Sequence, residues 1–457
     1  MDLGDVDLTD LDLFTGGFPD DVFVQLRHEA PVWWHEATAH TPDGTGFWVV
    51  SRHGDILDVT GDAETFSSER APGAAAGGTI IEDLPYGFAS GVLLNMMDDP
   101  RHHRIRRLVT PAVAPRALAA LEPELRARTA AILDGVAAHG RCDFLVDVAV
   151  ELPLQAIAML MGVPEQDRHD LMAWTNATLT YDDRELGARS AGSEDAAAAM
   201  AAYGSALVAR KRAEGGDDIV ATVARATVDV DVDVDVDGSD DGIAGRGTRS
   251  APLSDLELLM FFNLLIAAGS ETTRNAIALG MAALIEHPDQ WELLRSDPAA
   301  LAPAVEEILR WSSPTLYNRR TATRDVEVAG RQVRAGDKVT LWWASANRDE
   351  SVFDDPFRFD VRRTPNPHLA FGYRSHFCLG ANLARLEIRI MLEELLARFD
   401  RLSLDGPVER FRTNKHAGVK HMDVVLHPRS PGPAPATTPT TPTTGTTSTT
   451  EGRRHGR

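Results

Sequence analysis

Residues 371–380 read FGYRSHFCLG and hold Cys378, one of only two cysteines in the chain of 457 residues. Two isolated thiols, Cys142 and Cys378, build no disulfide framework, so each is either a small buried hydrophobe or a ligand. Cys142 lies in the largely apolar stretch CDFLVDVAVEL and reads as a packed side chain. Cys378 keeps different company: Gly372 and Gly380, Phe371 and Phe377, Arg374 and His376. What the loop does with its thiol has to be read from the rest of the chain.

The length allows one large domain or two ordinary ones. A hydrophobic fraction of 43% and a charged fraction of 25% are those of a soluble globular protein. A formal charge of −22 argues against a nucleic-acid partner, which requires a basic surface. The first residues, MDLGDVDLTDLDLF, are acidic and unlike a signal peptide. The longest apolar run, 258–268, is interrupted by Asn263 and falls short of the roughly 20 residues that span a bilayer. These features predict a cytoplasmic monomer with no membrane anchor. The basic patch RHHRIRRL at 101–108 stands against the acidic background and needs a local reason.

Helical spacing dominates, as in EPELRARTAAILDGVAAHG and RLEIRIMLEELLARFD. Strand signals are short: GFWVVS at 46–51 and VEVAGRQVRAGDKVTLWW at 326–343, with turns at Ala329-Gly330 and around Gly336. The pattern predicts a mainly α fold with small β-sheets. Residues 1–427 form the expected body. An acidic insert at 228–250 opens with strict Val/Asp alternation and predicts an exposed hairpin or a flexible loop, since its spacing does not match a calcium-binding EF-hand. Residues 428–457 are a Pro/Thr-rich stretch with the composition of a disordered tail.

The segment SDLELLMFFNLLIAAGSETTRNAIALGMAALIEHP, 254–288, predicts one long helix. Ser254 and Glu257 form a capping box, and Pro288 ends it. At 1.5 Å per residue it would be about 48 Å long. Its first half is apolar nearly all round, which predicts a path through the middle of the molecule. Gly269, Ser270, Glu271, Thr272 and Thr273 then interrupt it. A glycine there costs about 1 kcal/mol relative to alanine, and buried polar groups need partners. Two readings stay open. The hydroxyls bond back to carbonyls one turn earlier while Glu271 pairs with Arg274, or the local rules break because this is a site.

Three motifs occur in order: Ala268-Gly269-Ser270-Glu271-Thr272-Thr273, then Glu307-Ile308-Leu309-Arg310, then Phe371-Gly372 through Cys378-Leu379-Gly380. Together they resemble the cytochrome P450 family of haem-thiolate monooxygenases, over roughly residues 10–426. The stretches MMDDPRHHRIRRLVTPAVAPR and SANRDESVFDDPFRF look like its soluble bacterial branch. The resemblance implies a single-domain fold with the long helix crossing the haem. It also implies haem b as cofactor, with Cys378 as the axial iron ligand and Phe371 and Gly380 beside it. His102, Arg106, Arg320, His368 and His376, with help from Asn318, would hold the propionates. Ala268 and Gly269 would leave room for dioxygen, and Glu271 and Thr272 would deliver protons. Glu307, Arg310 and Arg358 would form a structural ion network. Arg374 departs from the pattern, because a second glycine is usual at its place.

The implied reaction is hydroxylation or epoxidation of a hydrophobic small molecule by dioxygen. Electrons would come from NAD(P)H through a separate ferredoxin and reductase, docking near Arg104, Arg107, Arg374 and Arg385. Pocket walls are expected from residues 83–94 and 170–190, from Tyr86, Leu264, Ala267, Thr315, Leu316 and Tyr317, and from the loop His416-Ala417-Gly418. The helix run FFNLLIAAGSETTRNA and the later GVKHMDVVL look closest to members that oxidise sterol side chains and fatty acyl chains; terpenoids belong to the same expectation. The alternatives are a tailoring oxidase of a polyketide or peptide on the same framework and, more remotely, a non-catalytic haem-binding protein or a zinc protein using Cys378, His376 and His368.

Overall fold

A computed structural model describes residues 2–179, 191–234 and 245–429. The long helix runs from Asp255 to Glu286, 32 residues, and both halves of its capping box form. Glu257 N–H donates to Ser254 Oγ at 3.3 Å, and Ser254 N–H donates to Glu257 Oε2 at 2.8 Å. Pro288 opens the next helix, Pro288–Ser296.

The half buried all round is the second one, where every residue from Thr273 to Leu284 is buried. The apolar first half behaves differently from expectation. Leu258, Phe261, Phe262 and Ile266 are core, but Leu264, Leu265 and Ala268 also line a cavity, so part of the apolar surface is open to ligands. Gly269 also has a packing reason: a Cβ there would meet Ile157 Cγ1 at 3.1 Å, on the helix Glu151–Leu160. Gly280 is tighter still, with Ile308 Cγ2 2.6 Å from where a Cβ would stand.

A five-stranded sheet lies to one side, in the order Val32–His35, Phe47–Val50, Lys338–Leu341, Asn318–Ala322, Phe66–Ser67. Residues 47–50 alternate between two apolar clusters: Phe47 and Val49 pack with Phe14, Phe23 and Trp342, while Val50 packs with Val32, Val339 and Trp343. The same period of two sorts the strand Asn318–Ala322. Arg319 bonds Asp83 at 2.6 Å and Thr321 at 2.9 Å, whereas Asn318 and Arg320 turn to the other face and line a cavity. The hairpin Val326–Val328 with Arg331–Val333 forms over Ala329-Gly330, both at positive φ.

The flanks of the acidic insert pair as an antiparallel ladder, Thr227–Val234 with Gly245–Pro252; residues 235–244 lie outside the described residues. Strand pairing extends to Pro428, opposite Phe399, one residue past the expected edge of the body. The Pro/Thr stretch from residue 430 lies outside the described residues. Among the described residues, no helix is long and apolar enough to cross a membrane.

The ion network forms around Glu307 and Arg310, both fully buried in the helix Leu301–Ser312. Arg310 meets Glu307 through Nε at 2.7 Å and Nη2 at 2.8 Å, and donates Nη1 to the carbonyls of Asn347 and Pro356 at 2.8 Å each. The third cation is not Arg358. That side chain is exposed, and only its carbonyl takes part. Arg363 fills the place: Nε lies 3.1 Å from Glu307 Oε2, and its other nitrogens bond the carbonyls of Asp354, Asp355 and Arg358. The chain curls at 354–363 so that Phe359 packs inward and Arg358 points out. Sequence spacing does not encode that curl. Removing one partner of a buried ion network typically costs about 3–5 kcal/mol, whereas an exposed side chain is usually worth under about 0.5 kcal/mol. Urea unfolding of Arg363→Ala should therefore show a loss of about 3 kcal/mol or more, with Arg358→Ala near wild type. Equal effects would return Arg358 to the network.

Candidate active site

The stretch that opened the sequence analysis forms a tight loop before the helix Ala381–Arg398. Gly372 turns it at φ 69°, where glycine alone is free of strain. Cys378 N–H then donates to the Phe371 carbonyl at 2.8 Å, closing the loop. The thiol lies deep in the body but opens onto a cavity, and Gly380 N–H donates to its sulfur. Burial raises the thiol pKa; the Gly380 N–H and the charges of Arg106 and Arg385 oppose that rise. Its place at a helix N-terminus favours the thiolate in the same direction. Phe371 packs edge-on to Phe377 at 5.9 Å and lies under the Arg385 guanidinium at 4.6 Å.

The cavity lies between this loop and the central helix, which contributes Ala268, Gly269, Thr272 and Ala276. One wall is basic. His102 and Arg106, one turn apart on the helix Arg101–Val109, reach it together. His376 stacks on His102 at 4.1 Å, and Arg320 arrives from its strand. This explains the basic patch at 101–108. Burial lowers the Arg320 pKa to about 10. Burial, then the charges of Arg320, His102 and Arg106, pushes His376 down to about 2. The nearby carboxylates are Asp99, 3.1 Å from His102 Nδ1, and Asp98, whose charge acts on Arg320. The guanidinium groups of Arg106 and Arg320, beside the imidazoles of His102 and His376, suit anionic groups. A thiol at one face, a helix carrying hydroxyls at the other and these donors along one wall fit haem with its two propionates.

A second cavity of about 410 Å³ adjoins the first and shares Leu264, Ala268, Thr272, Thr315 and Asn318 with it. Ala267, Glu271 and Tyr317 line this cavity only, and exposed His40 marks its mouth. Both open readings of the helix motif contribute. Thr272 Oγ1 donates to the Ala268 carbonyl at 2.8 Å, and Ser270 Oγ to Ile266 at 2.8 Å. Glu271, however, lies closest to His416 Nδ1, at 3.4 Å, with Arg274 acting on it through charge.

Several expected site residues lie elsewhere. His368 turns from the cavity and meets Glu306 at 3.1 Å, a half-buried acceptor that also holds Arg385. Burial alone would raise the Glu306 pKa, but His368 and Arg385 outweigh it and hold it near 2. This also separates His368 from His376 and Cys378, the grouping a zinc site would need. Tyr86 is 45% exposed and lies under the Arg70 guanidinium, 3.4 Å from the ring centre, so it faces outward. Leu316 is core, and Ala417 packs against core clusters; neither lines the cavities. Their strand and loop alternate, sending Thr315, Tyr317 and His416 inward instead. Of the four docking arginines, Arg107 and Arg374 are exposed, Arg104 donates to the Asp229 carbonyl at 2.6 Å, and Arg385 is held by Glu306. Arg363, Asn347 and Asn275 were missed. They act through contacts with distant segments and carry no local signal.

A family model for cytochrome P450 matches residues 299–428. A cytochrome P450 of Mycobacterium tuberculosis, numbered 126, is 47% identical over 426 residues, covering 93% of this chain and 98% of that one. A methyl-branched lipid omega-hydroxylase of the same organism is 39% identical over 406 residues, covering 86% and 88%. Among solved structures, a Mycobacterium marinum cytochrome P450 in complex with pseudoionone superposes with a TM-score of 0.78 at 32% identity, covering 92% of this chain and 98% of that chain.

Arg374, at the place where glycine is usual, adopts φ 59°. The left-handed region costs a residue with a Cβ about 1–2 kcal/mol. Its guanidinium, 5.1 Å from the Tyr373 ring centre, is the contact that answers the strain. Glycine would relieve the strain but give back about 0.4–1 kcal/mol in unfolded-state freedom. Arg374→Gly should therefore raise stability by about 0.5–1 kcal/mol, read as a higher urea midpoint at unchanged slope. A lower midpoint would mean that the guanidinium contributes more than its backbone costs.

Proposed function

The chain belongs to the cytochrome P450 family, and from that premise we propose that this monooxygenase hydroxylates an elongated hydrophobic molecule, a branched or isoprenoid acyl chain, a terpenoid or a sterol side chain. The observation that carries this reading is the paired cavity. The second cavity mixes apolar side chains, Ile80, Leu93, Met96 and Leu264 among them, with a few polar ones such as Asn95, Asn318 and Asn414. An apolar molecule with one or two polar groups suits that lining. The lipid hydroxylase and the pseudoionone complex support the same class of molecule.

Haem b, held by a thiolate, would supply the oxidation chemistry, using dioxygen to place one oxygen atom in a C–H bond and releasing the other as water. The protein's part is to bind, orient and move protons. Cys378 Sγ would hold the iron, with the Gly380 N–H moderating its charge. His102, Arg106, Arg320 and His376 would take the propionates. Leu264, Ala267 and Thr315 would set which carbon of the substrate reaches the reacting position. Glu271, on the second cavity, would take protons from solvent and pass them to Thr272 Oγ1, which would turn from the Ala268 carbonyl to donate into the thiol cavity. Electrons would come from NAD(P)H through a ferredoxin and its reductase, with Arg107 and Arg374 as exposed docking cations.

An optical titration of the ferric protein with branched fatty acids, acyclic terpenoids, sterols and macrolactones tests the substrate. A saturable low-to-high-spin Soret shift with the elongated apolar molecules is expected. A response confined to macrolactones would favour a polyketide tailoring role instead. Thr272→Ala should keep electron consumption near wild type while most of it appears as hydrogen peroxide. Product per NAD(P)H at the wild-type level would remove Thr272 from proton delivery.

A further inference from the structure

His416 comes from a loop far along the chain, yet it meets Glu271: Nδ1 lies 3.4 Å from Glu271 Oε1, with the two side chains 19% and 13% exposed. Both line the second cavity. The loop is fastened from two sides. His416 forms an antiparallel bridge with Thr315, while Leu316 N–H donates to Lys415 at 2.9 Å and Ala417 N–H to Pro314 at 3.0 Å. Asn275 Oδ1, from the central helix, accepts Val419 N–H at 3.1 Å. Asn275 stands one turn beyond Glu271, on the same face of that helix. One helix face therefore both holds the loop and presents the carboxylate to the imidazole.

We propose that His416 is the positioning residue for Glu271, holding its carboxylate on the cavity side between proton transfers. At 3.4 Å the contact is one small rotation short of a good hydrogen bond, a looseness that suits a carboxylate that must leave and return. Glu271 takes one proton from cavity water while beside His416. It rotates, gives that proton toward Thr272 Oγ1 and returns ionised to Nδ1. Net, one proton crosses from the second cavity to the first and the carboxylate is restored. Without the imidazole, the carboxylate loses that cavity-side contact and its return becomes the slow step. This rests on the proton route proposed above for Glu271.

The test compares Glu271→Gln, His416→Leu, His416→Asn and the double variant Glu271→Gln/His416→Leu, each haem-loaded and supplied with a surrogate ferredoxin and reductase. The asparagine amide can stand where Nδ1 stands. His416→Leu should lower product per NAD(P)H about fivefold, within the range of coupling between touching side chains, and enlarge the solvent deuterium isotope effect. His416→Asn should restore most of both. The double variant should lose no more than Glu271→Gln alone. An infrared band assigned to Glu271 by its loss in Glu271→Gln should shift in His416→Leu but not in His416→Asn. If Glu271→Gln itself behaves as wild type, the proton route falls and the role of His416 falls with it. If Glu271→Gln is impaired but His416→Leu is not, or if the losses add, or if His416→Asn fails as badly as leucine, the route stands and His416 is not its positioning residue.

Discussion

Four basic side chains packed into one wall of an apolar cavity are unfavourable on their own. His102, Arg106, Arg320 and His376 are drawn together by three unrelated elements, and burial works against the charge on each of them. Arg106 and Arg320 carry the charge, and an anion lying against the wall would offset the cost of burying them. Most of the architecture makes sense as a means of holding that wall and the thiol loop in place: strand alternation that sends Arg320 inward, a short helix that stacks His102 and Arg106, a glycine turn that folds His376 back onto His102.

The Glu307, Arg310 and Arg363 cluster serves the same end at a distance. It contacts no cavity. It ties the helix Leu301–Ser312 to the curl at 354–363, and Glu307 also accepts the side-chain amide of Asn366 at 3.2 Å. Asn347 extends the tie. Its carbonyl accepts from Arg310, while its side chain bonds Ser313 at 2.9 Å and takes Leu369 N–H at 2.6 Å, just before the thiol loop begins. A buried charge network is rarely efficient as pure stabilisation. Here it fixes the direction from which the chain enters the loop that carries Cys378.

What could be read in advance follows from how local the signal was. The capping box, the hairpin turn at Ala329-Gly330 and the cysteine loop are set by residues within a few positions, and all were legible. Arg363 replacing Arg358, His368 turning to Glu306 and Tyr86 lying under Arg70 depend on which way a non-repetitive segment curls, and no periodicity reports that. The apolar first half of the central helix is the instructive case. Hydropathy marks surface that avoids water; it does not say whether protein or ligand will cover it.

That ambiguity resolves along the central helix itself. From Thr273 to Leu284 every residue is buried, and Gly280 and Ile308 close to near-contact, although Thr273 and Ala276 still line the thiol cavity. Before that point Leu264, Ala267, Ala268, Glu271 and Thr272 line cavities, while Leu258, Phe261, Phe262 and Ile266 stay in the core. Glu271 lines only the second cavity and Thr272 lines both, so a proton passed between them crosses from one cavity to the other. Moved one turn toward the C-terminus, the carboxylate would stand at Asn275, which is fully buried, and its desolvation would need a new partner. At its own place Glu271 is 13% exposed, lines the second cavity and lies 3.4 Å from His416, whose loop is fixed to the same helix face through Asn275 and Val419.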